Sequence, residues 1–224
     1  DETIEVASTV EFKAAGTETL TFAGGKIDLA NGADLTINNT NGAIVVSGVA
    51  GDSDETVTIN AGTSTVSLGA VGDSSNTEIH NLTVTGDGGI TLTGNIYTSA
   101  DDASAADITF NDTVLINGTV LIDSDDSARD GTITFTDGID GADGNGDNLT
   151  IEGGTAAITL QPIGANTALT SLTIGADSTS TAVITLPAIG SGAITTTSGT
   201  GVTGAVSIGN TSADSIVMSG NIYK

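Results

Sequence analysis

The sequence predicts an all-β protein, a parallel right-handed β-helix or solenoid built from short threonine-rich strands with glycine, asparagine and aspartate corners. Three observations lead there. Apolar residues recur with a period of two, the mark of strands with one face buried. Clusters of Gly, Asn, Asp and Ser separate these runs, and such residues tolerate positive φ or bond their own backbone in turns. Long stretches of the chain also resemble one another, as stacked repeats do.

The runs Thr3-Ile4-Glu5-Val6 and Thr19-Leu20-Thr21-Phe22 open the chain, each offering two apolar residues to a core. Ala33-Asp34-Leu35-Thr36-Ile37-Asn38 follows, and the cluster Asn38-Asn39-Thr40-Asn41-Gly42 closes it with turn residues. Thr56-Val57-Thr58-Ile59 and Thr65-Val66-Ser67-Leu68 repeat the alternation after the corner Gly51-Asp52-Ser53-Asp54. The segment Thr113-Val114-Leu115-Ile116-Asn117-Gly118-Thr119-Val120-Leu121-Ile122 admits two readings. Its Asn-Gly suits either a tight antiparallel hairpin, which would favour a string of sandwiches, or a sharp solenoid corner. Thr132-Ile133-Thr134-Phe135 and Ala157-Ile158-Thr159-Leu160 continue the pattern beyond the loop Gly141-Ala142-Asp143-Gly144-Asn145-Gly146. No segment has the spacing of an amphipathic helix.

Residues 33–93 and 118–186 form two approximate internal repeats. Glu55-Thr56-Val57-Thr58-Ile59-Asn60-Ala61-Gly62 matches Asp147-Asn148-Leu149-Thr150-Ile151-Glu152-Gly153-Gly154, and Val66 through Gly72 matches Ile158 through Gly164. Gly94-Asn95-Ile96-Tyr97 is echoed by Gly220-Asn221-Ile222-Tyr223. We therefore expect residues 1–224 to form a single continuous solenoid, a segment of a longer repetitive protein.

Composition excludes several functions. Against 28 Asp and Glu stand 4 Lys and Arg, for a net charge of −24. Binding of nucleic acid or of an anionic membrane surface through side chains needs clustered cations, so neither partner is expected. The absence of cysteine rules out disulfides, zinc knuckles and cysteine nucleophiles. No apolar run is long enough to span a bilayer, so direct membrane insertion is not expected. Leu, Ile, Val and Phe make up about a quarter of the chain, enough for a thin core. Aromatic side chains, on which compact enzymes and sugar grooves usually lean, account for only 3%.

The runs Asp107-Ile108-Thr109-Phe110-Asn111, Thr119-Val120-Leu121-Ile122, Gly131-Thr132-Ile133-Thr134-Phe135, Asn148-Leu149-Thr150-Ile151 and Leu169-Thr170-Ser171-Leu172-Thr173-Ile174 carry a family resemblance. The chain resembles the repeats of very large bacterial surface proteins, the β-strand-repeat or filamentous-haemagglutinin-like adhesins. The resemblance implies a secreted parallel β-helix displayed at the cell surface. That family has no catalytic signature, and the resemblance implies no particular ligand.

Candidate chemistry is sparse. Asp123, Asp125, Asp126, Asp130, Asp137, Asp140, Asp143 and Asp147 crowd one region. Within it Asp143, Asn145 and Asp147 lie two apart on a glycine-rich loop, a pattern that could wrap a calcium ion with oxygen ligands. The loop lacks the glycine and the closing glutamate of an EF-hand, so a solvated acidic loop is the competing reading. No cofactor is required by this sequence, and calcium is the one candidate. Carboxylate pairs also admit a β-helical polysaccharide-degrading enzyme, but glycoside hydrolysis needs two carboxyls held across one scissile bond, and these acids sit in turns. The single histidine, His80, fits a strand start or corner better than a general base. Threonine pairs at 19/21, 56/58, 83/85, 91/93 and 132/134 could form ladders that order water or bind ice, provided they stack on one face. Asn-x-Thr tripeptides such as Asn81-Leu82-Thr83 could accept glycans.

The sequence is thus read as a non-catalytic extracellular structural or adhesive repeat protein of the cell surface, not an enzyme. Open solenoid ends leave backbone groups unpaired, so self-association, end to end or lateral, into a filament, sheath or surface layer is expected. The alternative is a carbohydrate- or host-binding adhesin module, with cell-surface polysaccharide as partner.

Overall fold

The computed structural model describes residues 3–73, 77–99, 104–125, 129–175, 183–190, 201–209 and 215–223. Among them there is no helix, and every strand pairing is parallel. The chain is a β-solenoid. One sheet has nine strands, running from Val10–Ala14 through Leu35–Asn39, Thr56–Asn60, Asn81–Thr85, Ile108–Asn111, Ile133–Phe135, Ile158–Thr159 and Val183–Leu186 to Ser215–Met218. Neighbouring strands lie about 4.8 Å apart, so this stack is roughly 40 Å tall.

The other sheet has thirteen strands and forks. Ile44–Ala50 pairs through its first half with Leu20–Phe22 and through its second half with Ile27–Leu29. Val66–Val71 does the same with Ile90–Leu92 and Ile96–Tyr97. Each coil therefore has three strand segments. We call the column that starts at Leu20–Phe22 the first face, the column that starts at Ile4–Val6 the second, and the nine-stranded sheet the third.

The period-two pattern sets what points inward. In Thr56–Asn60 and Asn148–Glu152 the apolar residues are buried and the threonines and asparagines half-buried, as the alternation predicts. Register then turns single inward residues into columns. On the second face Ile4, Ile27, Val49, Val71, Ile96, Ile122, Ile151, Ile174 and Ile208 follow one another without a break. On the first face Leu20, Ile44, Val66, Ile90, Val114, Ile139, Ile163, Ile189 and Ile222 do so. Aliphatic columns fill the narrow interior, and Phe110 stacks on Phe135 with ring centroids 5.1 Å apart.

Coil length is uneven. Val10 pairs with Leu35, Leu35 with Val57, Val57 with Leu82 and Leu82 with Ile108, steps of 22 to 26 residues, and the final step from Ile184 to Ile216 is 32. The similar stretches at 33–93 and 118–186 consequently occupy different places in the coil. Thr56–Asn60 lies on the third face and its counterpart Asn148–Glu152 on the second. Nor does Asn117-Gly118 make a hairpin. Val114–Ile116 and Thr119–Asp123 lie on consecutive faces, each paired in parallel with the coils on either side, and Gly118 turns the corner at φ 90°.

The Gly-Asn-Ile-Tyr echo marks a repeated local unit. A Cβ on Gly94 would meet the backbone of Ala70, and one on Gly220 the backbone of Ala188, so both glycines permit close contact between coils. In each unit the asparagine Nδ2 donates to the tyrosine hydroxyl at 3.4 Å.

Candidate functional site: the acidic corners and the threonine face

The corners are built on carboxylates that accept backbone N–H groups. Glu55 is fully buried immediately before the strand Thr56–Asn60. One of its oxygens accepts the N–H of Gly32 in the preceding coil at 3.0 Å, and the other accepts those of Asp52 and Asp54 at 2.6 and 3.3 Å. Asp147, its counterpart in the internal repeat, repeats the arrangement before Asn148–Glu152. Its Oδ1 accepts Gly118 N–H from the preceding coil at 3.0 Å, and its Oδ2 accepts Asp143 and Gly144 N–H at 3.2 and 2.9 Å. Gly32 and Gly118 both have positive φ. Equivalent residues on two different corners thus do the same work. Asp140, also buried, receives Asn166 and Thr167 N–H and the Asn166 amide.

A second set of contacts climbs the edge of the third face, where a residue at the start of a strand or just before it accepts from the coil above. Thr9 receives Asp34 N–H, Asp34 receives Thr56 N–H, Asn81 receives Asp107 N–H, and Asp107 receives Thr132 N–H. Side-chain oxygens therefore satisfy donors that the sheets leave unpaired at the bends.

The predicted calcium trio is placed together but turned to other partners. Asp143 and Asn145 are exposed at the corner, and Asp147 is buried. Asp143 accepts Asn145 N–H at 2.8 Å, and the Asn145 amide donates back to the Asp143 carbonyl at 3.2 Å. The wider acidic run does not converge: Asp123 stands beside Tyr97 and Glu152 on the second face, Asp130 meets Thr155, and Asp137 caps Gly138. Asp126 lies outside the described residues. Among the described residues no group of three or more His, Cys, Asp or Glu is arranged to hold a metal ion.

His80 is buried at the corner before Asn81–Thr85, with Nε2 3.2 Å from the Ala105 carbonyl. A carbonyl only accepts, so Nε2 carries the proton there.

The threonines do stack. On the third face Thr36, Thr58, Thr83, Thr109, Thr134, Thr159 and Thr185 occupy one outward column through successive coils. Asn38, Asn60, Thr85 and Asn111 run beside them in register, and Asn111 donates to the Thr85 hydroxyl at 3.2 Å. Thr21 and Thr91 belong to the first face instead. The threonine column holds no charged residue between Thr36 and Thr185, in a chain of net charge −24. The face offers a periodic row of methyl and hydroxyl groups about 4.8 Å apart.

Compared with known proteins, the chain matches no family model, no curated sequence and no solved structure.

Proposed function

We propose that this chain is a non-catalytic extracellular structural segment, a stiff, hydrated rod of a large adhesin-like surface protein that self-assembles into a filament, sheath or surface layer. The observation that supports it is the unbroken inward column on every face, closed at the bends by side chains whose hydrogen-bonding capacity goes to backbone donors. Such a molecule has nearly one-dimensional stability, and its length can grow without a larger core. Outward Thr, Asn and Asp keep it wet, and shared negative charge keeps neighbouring rods from collapsing side by side. Antibodies raised against the chain are expected to label intact, unpermeabilised cells that make it. Labelling only after lysis would overturn the extracellular reading.

The uncharged threonine column favours a second reading, adhesion through the third face to an extended polysaccharide. A regular row of hydroxyls suits a partner with its own repeat better than a single small ligand. In this reading the chain is retained on insoluble polysaccharide such as cellulose or chitin, and Thr83→Gln with Thr109→Gln lowers the bound fraction several-fold without shifting the melting temperature. Equal retention of the double variant would remove the face from consideration.

A further inference from the structure

The chain contains four Asn-Gly peptides, Asn31-Gly32, Asn41-Gly42, Asn117-Gly118 and Asn145-Gly146. Asn-Gly is the peptide most prone to rearrange without an enzyme. With no Cβ on the glycine to hinder it, the glycine nitrogen can reach the asparagine Cγ and close a five-membered ring. The nitrogen attacks only after losing its proton, so whatever holds the N–H holds back the reaction. Three of the four are held. Gly32 N–H donates to Glu55 and Gly118 N–H to Asp147, both at 3.0 Å, and each acceptor is a buried carboxylate of the next coil. Gly146 N–H donates to the Thr170 hydroxyl at 2.9 Å. A carboxylate acts twice over, since it pins the nitrogen and its charge opposes a second negative charge forming there. The five Asp-Gly peptides follow the same rule: the N–H groups of Gly88, Gly131, Gly138, Gly141 and Gly144 all have acceptors in the protein.

Asn41-Gly42 is the exception. It lies at the bend between Leu35–Asn39 and the start of Ile44–Ala50. Gly42 N–H meets no acceptor among the described residues, and the exposed Asn41 side chain has no partner there either. Described coils flank this bend on both sides. Thr40 N–H donates to the Ala14 carbonyl below, and a Cβ on Gly62 would meet the Thr40 carbonyl above. The missing acceptor is therefore a property of the bend and does not depend on where the chain begins or ends.

We propose that Asn41 is a site of spontaneous covalent modification, and that the corner acceptors Glu55, Asp147 and Thr170 protect the other three asparagines from it. Gly42 N, once deprotonated, attacks Asn41 Cγ. A carbon–nitrogen bond forms, the side-chain nitrogen leaves as ammonia, and a succinimide remains. Water then opens the ring at either carbonyl and leaves aspartate or isoaspartate. Both products add a negative charge. Isoaspartate also lengthens the main chain by a methylene, at a bend where a Cβ on Gly42 would already meet the Glu18 carbonyl. The carboxylates that satisfy the corners thus have a second use, as chemical protection for a chain whose turns are rich in Asn and Gly. The inference is independent of the rod reading.

The experiment holds the folded 224-residue chain at mildly alkaline pH, below its melting temperature, and follows aspartate and isoaspartate at each of the four asparagines by peptide mass spectrometry. Asn41 is expected to convert several-fold faster than Asn31, Asn117 and Asn145. In denaturant, where no acceptor is in place, the four rates are expected to converge. This comparison needs no variant. Glu55→Ala is expected to speed conversion at Asn31 alone, Asp147→Ala at Asn117 alone and Thr170→Val at Asn145 alone. The last removes a hydroxyl and keeps the branched side chain, and circular dichroism melts establish that each variant is folded before it is scored. Equal rates in the folded chain, another asparagine converting before Asn41, or an order that survives in denaturant would each overturn the site. Folded variants that leave their own asparagine as slow as in the wild type, or that quicken all four alike, would overturn the protection.

Discussion

Replacing Phe110 by alanine is expected to cost about 3–5 kcal/mol, while the same truncation at Met218 is expected to cost under about 1 kcal/mol. Both residues occupy the same inward position of the third face, at different heights along the axis. Phe110 is fully buried against Phe135, in the fifth of nine strands. Its removal leaves a ring-sized hole between coils whose backbones are fixed by pairing on both sides, so the walls cannot close on it. Met218 is more than half exposed and loses little on truncation. For a chain of this size each kcal/mol moves the melting temperature by about 2–4 °C, so Phe110→Ala is expected to melt roughly 6–20 °C below the wild type. A stack with nearest-neighbour coupling also predicts where the damage appears. Amide exchange is expected to quicken most in the coils next to Phe110 and to fade toward both ends. Equal costs at the two positions, or exchange that rises evenly along the chain, would contradict coil-by-coil stacking.

What lay open to reading in the sequence was local. Alternation in Thr56-Val57-Thr58-Ile59 settles which residues point inward, because side-chain direction in a strand depends on parity alone. Which face a strand joins depends instead on the summed length of every corner before it, and that length varies from coil to coil. Similar stretches such as Thr56–Asn60 and Asn148–Glu152 therefore land on different faces, and the strength of their match carries no information about it. The Asn117-Gly118 corner shows the same limit. Positive φ at Gly118 serves a hairpin or a solenoid bend equally, and the choice rests with strands 24 or more residues away. The threonine column was illegible for the same reason, since stacking is a statement about register. The buried carboxylates did leave a trace. Glu55 and Asp147 align within the repeat, each an acid immediately before a strand and after a glycine-rich corner. Their burial does not follow from that alignment, because an acid at a bend reads as solvated until its donors in the neighbouring coil are known.

Asp147→Ala is expected to destabilise the chain by about 2–4 kcal/mol, and by the same amount in calcium as in chelator. The carboxylate satisfies the N–H groups of Gly118, Asp143 and Gly144, one from the coil below and two from its own corner. Hydrogen bonds to a charged acceptor are stronger than neutral ones, and a buried donor left without a partner costs about 1–3 kcal/mol. Asp143 stands at the exposed end of the corner, so water can recover part of the loss there, whereas Gly118 donates into the covered side. Asp147→Asn keeps one carbonyl oxygen for Gly118 but turns an NH2 toward Asp143 and Gly144, donor against donor. It is expected to fall between the wild type and the alanine variant. A calcium ion at this corner would compete for Asp147 with three backbone donors already in place. Calcium is expected to leave the wild-type melting temperature unchanged, and a rise of several degrees that vanishes in Asp147→Ala would favour the ion reading over the solvated loop. Glu55→Ala carries the companion expectation of a similar loss, since it holds Gly32, Asp52 and Asp54 in the same way. Lysine and arginine cannot replace either residue, because they only donate and these corners need acceptors. Asp outnumbers Glu three to one in this chain, 21 to 7, and a short side chain that reaches back to N–H groups within its own turn has that bias.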